Sequence, residues 1–334
     1  MNIYDVSEKA GVSIATVSRV LNGSDKVSEK TKRKVLEVME EGNYTPNVFA
    51  RGLGLNSMRT IGIMCPDASD TFLANGVYYA EQTLREYGYD TILNCSGYEL
   101  EQKKKSLQLL QSKRVDAVIM IGSTYVEKEE EDRKYILDAA KEIPIAIVNG
   151  YMEGENVYCA FCHDFLATFQ VTSALLDKGR RRILYLYRSG TSYSGIKKKD
   201  GYRTAFLSRE MSIDERYMVQ VENNIEKIKE ILYDLEEQGL SFDGILTSDD
   251  VLAIAGLKYA KEKGLRVPED IDIIGYNNSI ISVCSDPELT SIDSKVKTTT
   301  ISAVKTLVDA LEGREAEQKI CVPCEIVERQ TTKF

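Results

Sequence analysis

Apolar positions repeat along this chain with two different periods, and the change falls near Arg59. Residues 1 to 44 carry helical spacing only. In "IYDVSEKA", Ile3, Val6 and Ala10 share one face, Asn2 is placed to cap with Asp5 three residues on, and Gly11 ends the run. Ser13 is a good cap for a second helix, "IATVSRVLN", that buries Val17, Val20 and Leu21. Ser28 caps a third, "EKTKRKVLEVMEE", with Val35, Leu36 and Met39 inward and Gly42 as its stop. Two short helices joined by a tight glycine-containing turn form a helix-turn-helix pattern.

Beyond Arg59, short apolar runs alternate with amphipathic stretches. The predicted strands are "TIGIMC", "DTILNC", "VDAVIMI", "IAIVN", "RILYLY", "DGILTS" and "DIIGY", with "VYCAFCH" and "EIVER" as further strands. Between them lie helical stretches such as "VYYAEQTLREYG", "ELEQKKKSLQLLQSK" and "DVLAIAGLKYAKEKG". Continuous apolar strands alternating with helices predict parallel sheets covered on both faces. This body is too long for one comfortable sheet and predicts two similar lobes. Residues 45 to 58 join head and body. Pro46 breaks the third helix, and a short helix over "NVFARGL" is weakened by Gly52 and Gly54, each by ~1 kcal/mol relative to alanine. Such a segment orders only when something holds it.

The net charge of −9 conceals a split. Between residues 9 and 36 seven positive side chains (Lys9, Arg19, Lys26, Lys30, Lys32, Arg33 and Lys34) face two negative ones, Asp25 and Glu29. A locally basic head on an acidic body is the charge asymmetry of a nucleic-acid-binding unit on a soluble sensor. Hydrophobic content of 43 % and charged content of 28 % read as globular. No apolar run approaches the roughly 20 residues of a membrane helix. "MNIYDVSEKAGVS" has no export signature, so the expectation is a cytoplasmic protein with no membrane partner.

The seven cysteines, an odd number spread widely, do not form a disulfide framework. "CAFCH" at 159–163 matches a haem-attachment pattern and, with Cys321 and Cys324, a zinc pattern. In a strand, however, cysteines three apart point to opposite faces, so neither metal nor other cofactor is expected. His163, the single histidine, reads as a cleft-edge or hinge residue. "GLGLNS" is a broken dinucleotide motif with no strand before it, and the Walker, G-x-S-x-G and H-E-x-x-H motifs are missing, so no enzyme activity is expected. "IKKKDG" is, Lys198 apart, a solvated basic run.

"NIYDVSEKAGVSIATVSRVLNG" followed by "VSEKTKRKVLEVMEEGNYTPNVFARGL" closely resembles the head of the LacI/GalR (lactose repressor) family, which carries D-V-A-x-x-A-G-V-S, T-V-S-R-V-L-N, Y-x-P-N and A-R-S-L segments. Ser7 and Gly52 depart from that pattern. "RVDAVIMIGS", "KGRRRILYL", "SDDVLAIAGLKYAKEKGLRVPEDIDIIGYNN" and "PELTSID" resemble the family's sensor, which has a periplasmic-sugar-binding fold. The resemblance implies an all-α helix-turn-helix head at 1–45, a hinge at 46–58 and a two-lobed α/β body of Rossmann-like sheets at 59–334. Its first lobe takes about 60–161 and 293–321, its second about 162–290 and 323–334.

It also implies a homodimer on pseudo-palindromic double-stranded operator DNA, with operator affinity modulated by a small molecule, a sugar, between the lobes. The chain stops soon after "EIVER", so no tetramerising coil is expected. At the head, Ile14 and Ala15 face base edges, Arg19 reaches guanine, and Tyr4, Ser13, Thr16, Ser18 and Asn22 reach phosphates. Asn47 and Arg51 belong to the linking segment, and Leu53 is a minor-groove wedge. In the cleft, beyond the strand ends, the effector residues are Asp70, Phe72, Asn149, Lys198, Asp249 and Asn277. Lys198 stands where the family usually has arginine, and the family's asparagine and aspartate of the last two loops appear exchanged as Asp249 and Asn277. One remaining carboxylate favours a neutral polyhydroxylated ligand. A nucleobase or phosphoprotein corepressor on the same fold, and a sugar-processing enzyme with an appended head, stay open as alternatives.

Overall fold

The computed structural model describes residues 1–21, 26–44 and 57–334. In the head, helices α1 (Ile3–Ala10), α2 (Ile14–Leu21) and α3 (Glu29–Glu41) enclose a core of Val6, Ala10, Val17, Val20, Val35 and Met39. Asn2 accepts from the Tyr4 and Asp5 amides at 2.9 and 3.1 Å, and Asp5 accepts from the Asn2 amide at 2.7 Å, a reciprocal capping box. Gly11 takes the left-handed φ of 60° that ends α1. One expectation fails in α3. Leu36 is 46 % exposed, because Val35 and Met39, one turn apart, own the inner face and Leu36 lies about 100° around it. Gly42 ends α3 as its C-cap, at φ −89°, and the next residue, Asn43, takes the left-handed φ of 46°.

The body holds two six-stranded sheets. Strands β1 (Thr60–Cys65), β2 (Asp90–Cys95), β3 (Ala117–Ile121), β4 (Ile145–Val148), β5 (Val157–Cys162) and β11 (Lys319–Val322) are all parallel, in the order β11-β5-β4-β3-β1-β2. The second sheet runs β12-β10-β9-β8-β6-β7, from β6 (Ile183–Tyr187), β7 (Met218–Gln220), β8 (Gly244–Thr247), β9 (Asp272–Tyr276), β10 (Thr290–Asp293) and β12 (Glu325–Val327). Its edge strand β12 is antiparallel to β10, the one pairing of that sense in these two sheets. Central strands β3, β4, β6, β8 and β9 are buried throughout, as strands covered on both faces must be.

Helices supply that cover. On the first sheet α4 (Thr71–Glu86) and α11 (Val296–Leu311) bury Ala80, Leu84, Val304 and Leu307 on one face, and α5 (Leu100–Ser112) and α6 (Glu130–Ala140) bury Leu110 and Ile136 on the other. On the second, α7 (Asp164–Asp177) and α8 (Tyr193–Leu207) oppose α9 (Ile225–Glu237) and α10 (Asp250–Glu262). α7 and α8 approach so closely that a Cβ at Gly201 would lie 2.4 Å from the Phe165 carbonyl. The chain passes between sheets three times: at His163, at Ser294–Lys295 and at Pro323–Cys324.

Candidate functional site

The exposed face of α2 is built by its cap. Ser13 Oγ accepts from the Thr16 amide at 3.2 Å and lies 2.9 Å from Thr16 Oγ1. With Val17 and Val20 turned into the core, Ile14, Ala15 and Arg19 are left exposed, and Thr16 and Ser18 half-buried. Tyr4 is 68 % exposed on the neighbouring helix. Two apolar side chains, two hydroxyls and a guanidinium thus share a surface with no acidic residue in the first turn of α2. Asn22, Asn47, Arg51, Leu53 and the hinge up to residue 56 lie outside the described residues.

Between the sheets lies a cavity of about 780 Å³. All six residues expected in the cleft, Asp70, Phe72, Asn149, Lys198, Asp249 and Asn277, line it. They come together because parallel strands end their carboxyl termini on one edge, and the loops and helix starts that follow face the space between lobes. Asp70 is the cap of α4, which begins at Thr71, six residues before the helical stretch read from the sequence. One Asp70 oxygen accepts from the Phe72 and Leu73 amides at 3.0 and 3.1 Å, and the other accepts from Arg188 of the opposite lobe.

Asn149 and Asn277 hold left-handed backbones, φ 68° and 88°, at their strand ends. Asn277 Nδ2 donates to Asp249 Oδ2 at 3.1 Å, and its Oδ1 accepts from Ser294 at 3.1 Å. The exchanged amide and carboxylate are therefore hydrogen-bonded to each other. Burial pushes the Asp249 carboxyl above its ordinary range, with the like charge of Asp70 acting the same way, while the Val251 amide opposes both. Lys198 is buried; its ammonium donates to the Ser248 carbonyl at 3.2 Å and stands 3.5 Å from the Tyr276 ring centre.

Sequence reasoning missed two cavity cations. Arg188 follows β6 directly, a strand-end position equivalent in kind to Asp249 after β8, and that was its available signal. Lys103 reads as one of three consecutive lysines on a solvated helix, yet only 3 % of its side chain is exposed; it donates to the Thr124 carbonyl at 2.7 Å and Glu127 at 2.6 Å. Nothing local separates it from Lys104 and Lys105. Cys159 and Cys162 do turn apart along β5: Cys159 Sγ donates to the Met152 carbonyl at 3.5 Å, and Cys162 Sγ to Asn149 and Asp164. His163, exposed at a crossover, accepts from the Leu166 amide at 3.4 Å. Among the described residues no helix is long and apolar enough to cross a membrane.

Comparison with known proteins agrees with both halves of this geometry. Residues 2–47 match the model of bacterial regulatory proteins of the lacI family, and residues 172–332 match that of the periplasmic binding protein-like domain. An HTH-type transcriptional regulator of Lachnoclostridium phytofermentans is 53 % identical over 334 residues, covering 100 % of both chains. The lac repressor dimer bound to operator and the anti-inducer ONPF shares the fold at a TM-score of 0.88, with 24 % identity over 99 % of this chain and 98 % of the other. The transcriptional regulator CelR in complex with cellobiose superimposes at 0.71, with 24 % identity over 99 % of this chain and 100 % of the other. A helix-turn-helix head, a two-lobed body and a relative matched end to end place the chain in the lacI family: it is a DNA-binding transcription regulator and not an enzyme.

Proposed function

We propose that this regulator acts as a homodimer on a pseudo-palindromic operator, represses genes of carbohydrate metabolism, and changes its operator affinity when a neutral sugar binds between its lobes. The observation that carries the sugar reading is the charge pairing inside the cavity. Lys103 faces Glu127 at 2.6 Å, Arg188 bonds Asp70, and Lys198 lies 4.0 Å from Asp164. No cation in this set is left to neutralise a phosphate, which a phosphorylated or strongly anionic ligand requires. Hydroxyl groups are served instead: Asp249 accepts, Asn149 and Asn277 do both, and Phe72 and Tyr98 offer apolar faces. A volume of about 780 Å³ suits a ligand of sugar or disaccharide size. Cellobiose in the complex of the structural relative CelR fits the same class.

In this reading Ile14 and Ala15 contact thymine methyls, Arg19 reads guanine, and Tyr4, Ser13, Thr16, Ser18 and Asn22 hold phosphates. Asn47, Arg51 and the Leu53 wedge belong to the segment whose order the effector controls. Domain limits near 45 and 58, and lobe limits near 162, 293 and 322, go with it. A thermal-shift screen of sugars, sugar phosphates and purines tests the ligand class. A neutral sugar at a hundredfold its Kd should add about 2.7 kcal/mol of stability. Stabilisation by purines or sugar phosphates, with no neutral sugar doing so, refutes the assignment.

A further inference from the structure

Two of the three crossovers bring a pair of thiols together beneath the cavity. Cys162 ends β5 and Cys324 lies between β11 and β12; their sulfurs and a carboxylate oxygen of Asp164 all fall within 4.8 Å of one another. Cys162 Sγ donates to Asp164 Oδ1 at 3.3 Å and to Asn149 Oδ1 at 3.6 Å. The Tyr276 hydroxyl donates to the same Asp164 oxygen at 2.6 Å, and the Lys198 ammonium is 4.0 Å away. Cys162 is buried, whereas Cys324 is only partly so.

We propose that Cys162 and Cys324 are a redox modification site, closing into a reversible disulfide across the crossovers when the protein meets a hydroperoxide. A metal is the competing occupant of two thiols and a carboxylate. Here the carboxylate is already satisfied by Tyr276 and Cys162, and the ammonium of Lys198 stands where its charge repels a dication. The other close thiol pair, Cys65 and Cys95 with sulfurs 4.0 Å apart, joins neighbouring strands of one sheet. A bond there would tie two strands already in register and leave the crossovers and the residues around the cavity untouched.

The chemistry divides between the two residues. Its hydrogen bond with Cys324, then burial, hold Cys162 protonated well above the usual thiol range, so Cys324 is the sulfur that meets the oxidant. Cys324 thiolate attacks one peroxide oxygen, the O–O bond breaks, and the departing alkoxide or hydroxide takes a proton from water, leaving Cys324 as sulfenic acid. Cys162 Sγ then attacks the Cys324 sulfur, the S–O bond breaks, and the Cys162 proton passes through Asp164 to the departing hydroxide. In sum, two thiols and one hydroperoxide give a disulfide, one alcohol or water, and one further water; two electrons pass from sulfur to the peroxide. Forming the bond removes the thiol donor from Asn149 and alters the surroundings of Lys198, so the oxidation state reaches the effector cavity. That consequence rests on the ligand reading above, but the bond itself does not.

The test treats the full-length reduced protein with hydrogen peroxide, alkylates remaining thiols under denaturing conditions, and maps the peptides by mass. The expected result is a Cys162–Cys324 cross-linked peptide lacking two hydrogens and restored by dithiothreitol. It should be lost in both Cys162→Ser and Cys324→Ser and retained in Cys321→Ser, which removes the exposed neighbour. A Cys162 that stays fully alkylatable while exposed Cys284 and Cys321 oxidise overturns the proposal. So does stoichiometric zinc on the purified protein that is lost with Cys162→Ser. No effector is used, so failure of the ligand screen leaves this result standing.

Discussion

At the scale of single residues, buried polar groups are the sensitive points, because a buried group that loses its partner costs more than the partner contributes. Asp249 meets Asn277 on one side and the cavity on the other. Asp249→Ala should abolish the effector response while operator affinity is kept; calorimetry showing unchanged ligand affinity would remove it from the site. Arg19→Ala should weaken specific operator binding by ~1–3 kcal/mol, with non-specific binding falling much less. Equal losses in both would make Arg19 a phosphate contact.

Asp250, on the same helix as the cavity loop, is buried, and burial raises its carboxyl from 3.8 to about 6 although Ser279 and Ser291 donate to it. The native state therefore holds a proton that the unfolded chain has already released. The contribution of this group to stability is complete below about pH 4 and falls as pH rises through 6, by roughly 3 kcal/mol. An asparagine cannot titrate, so the stability of the parent minus that of Asp250→Asn, followed by urea unfolding, should fall from pH 4 to pH 7. A constant gap would contradict it.

At the scale of elements, the capped starts of helices do the positioning. Asp70 at the head of α4 and Asp249 at the head of α10 each spend one oxygen on backbone N–H groups and give the other to a side chain at the space between lobes, Arg188 for Asp70 and Asn277 for Asp249. The hinge is the element where sequence alone speaks. With Gly52 and Gly54 against helix formation, the reading proposed above has its order come from DNA and from a dimer mate. Leu53→Ala should leave thermal stability of the free protein nearly unchanged and lower operator affinity by a few kcal/mol, with a smaller DNA bend. Salt dependence should stay steep, because the head's phosphate contacts remain. Permuted-site gel shifts decide this; an unaltered bend and affinity would make the segment a passive tether.

At the scale of the whole molecule, two lobes joined by three crossovers can change their closure, and Arg188 on one and Asp70 on the other form an ion pair across the opening. Both side chains are mostly buried, so breaking the pair leaves an uncompensated charge. Arg188→Met should open the cleft, seen as a larger radius of gyration by small-angle scattering. It should also weaken a bound sugar about tenfold, roughly 1.4 kcal/mol. Unchanged scattering and affinity would show that other contacts hold the lobes.

Local periodicity and caps were enough to read the three head helices, the central strands and the family, since each depends on neighbours within a few positions: Asn2 with Asp5, Ser28 with Thr31, the unbroken apolar run of "AVIMI". Strand-end placement was enough to nominate Asp249 and Asn277 for the cavity. Tertiary structure alone decided which face of α3 is inward at Leu36, that the edge strand β12 turns antiparallel, that Lys103 rather than Lys104 or Lys105 is buried, and that Arg188 reaches Asp70 118 residues away. It also decided that Cys162 meets Cys324 and not Cys159. The reason is the same in each case: helix and strand periods report which side of an element is apolar, whereas the partner across a cleft or crossover is set by how separate elements pack, and no spacing within the chain encodes that distance.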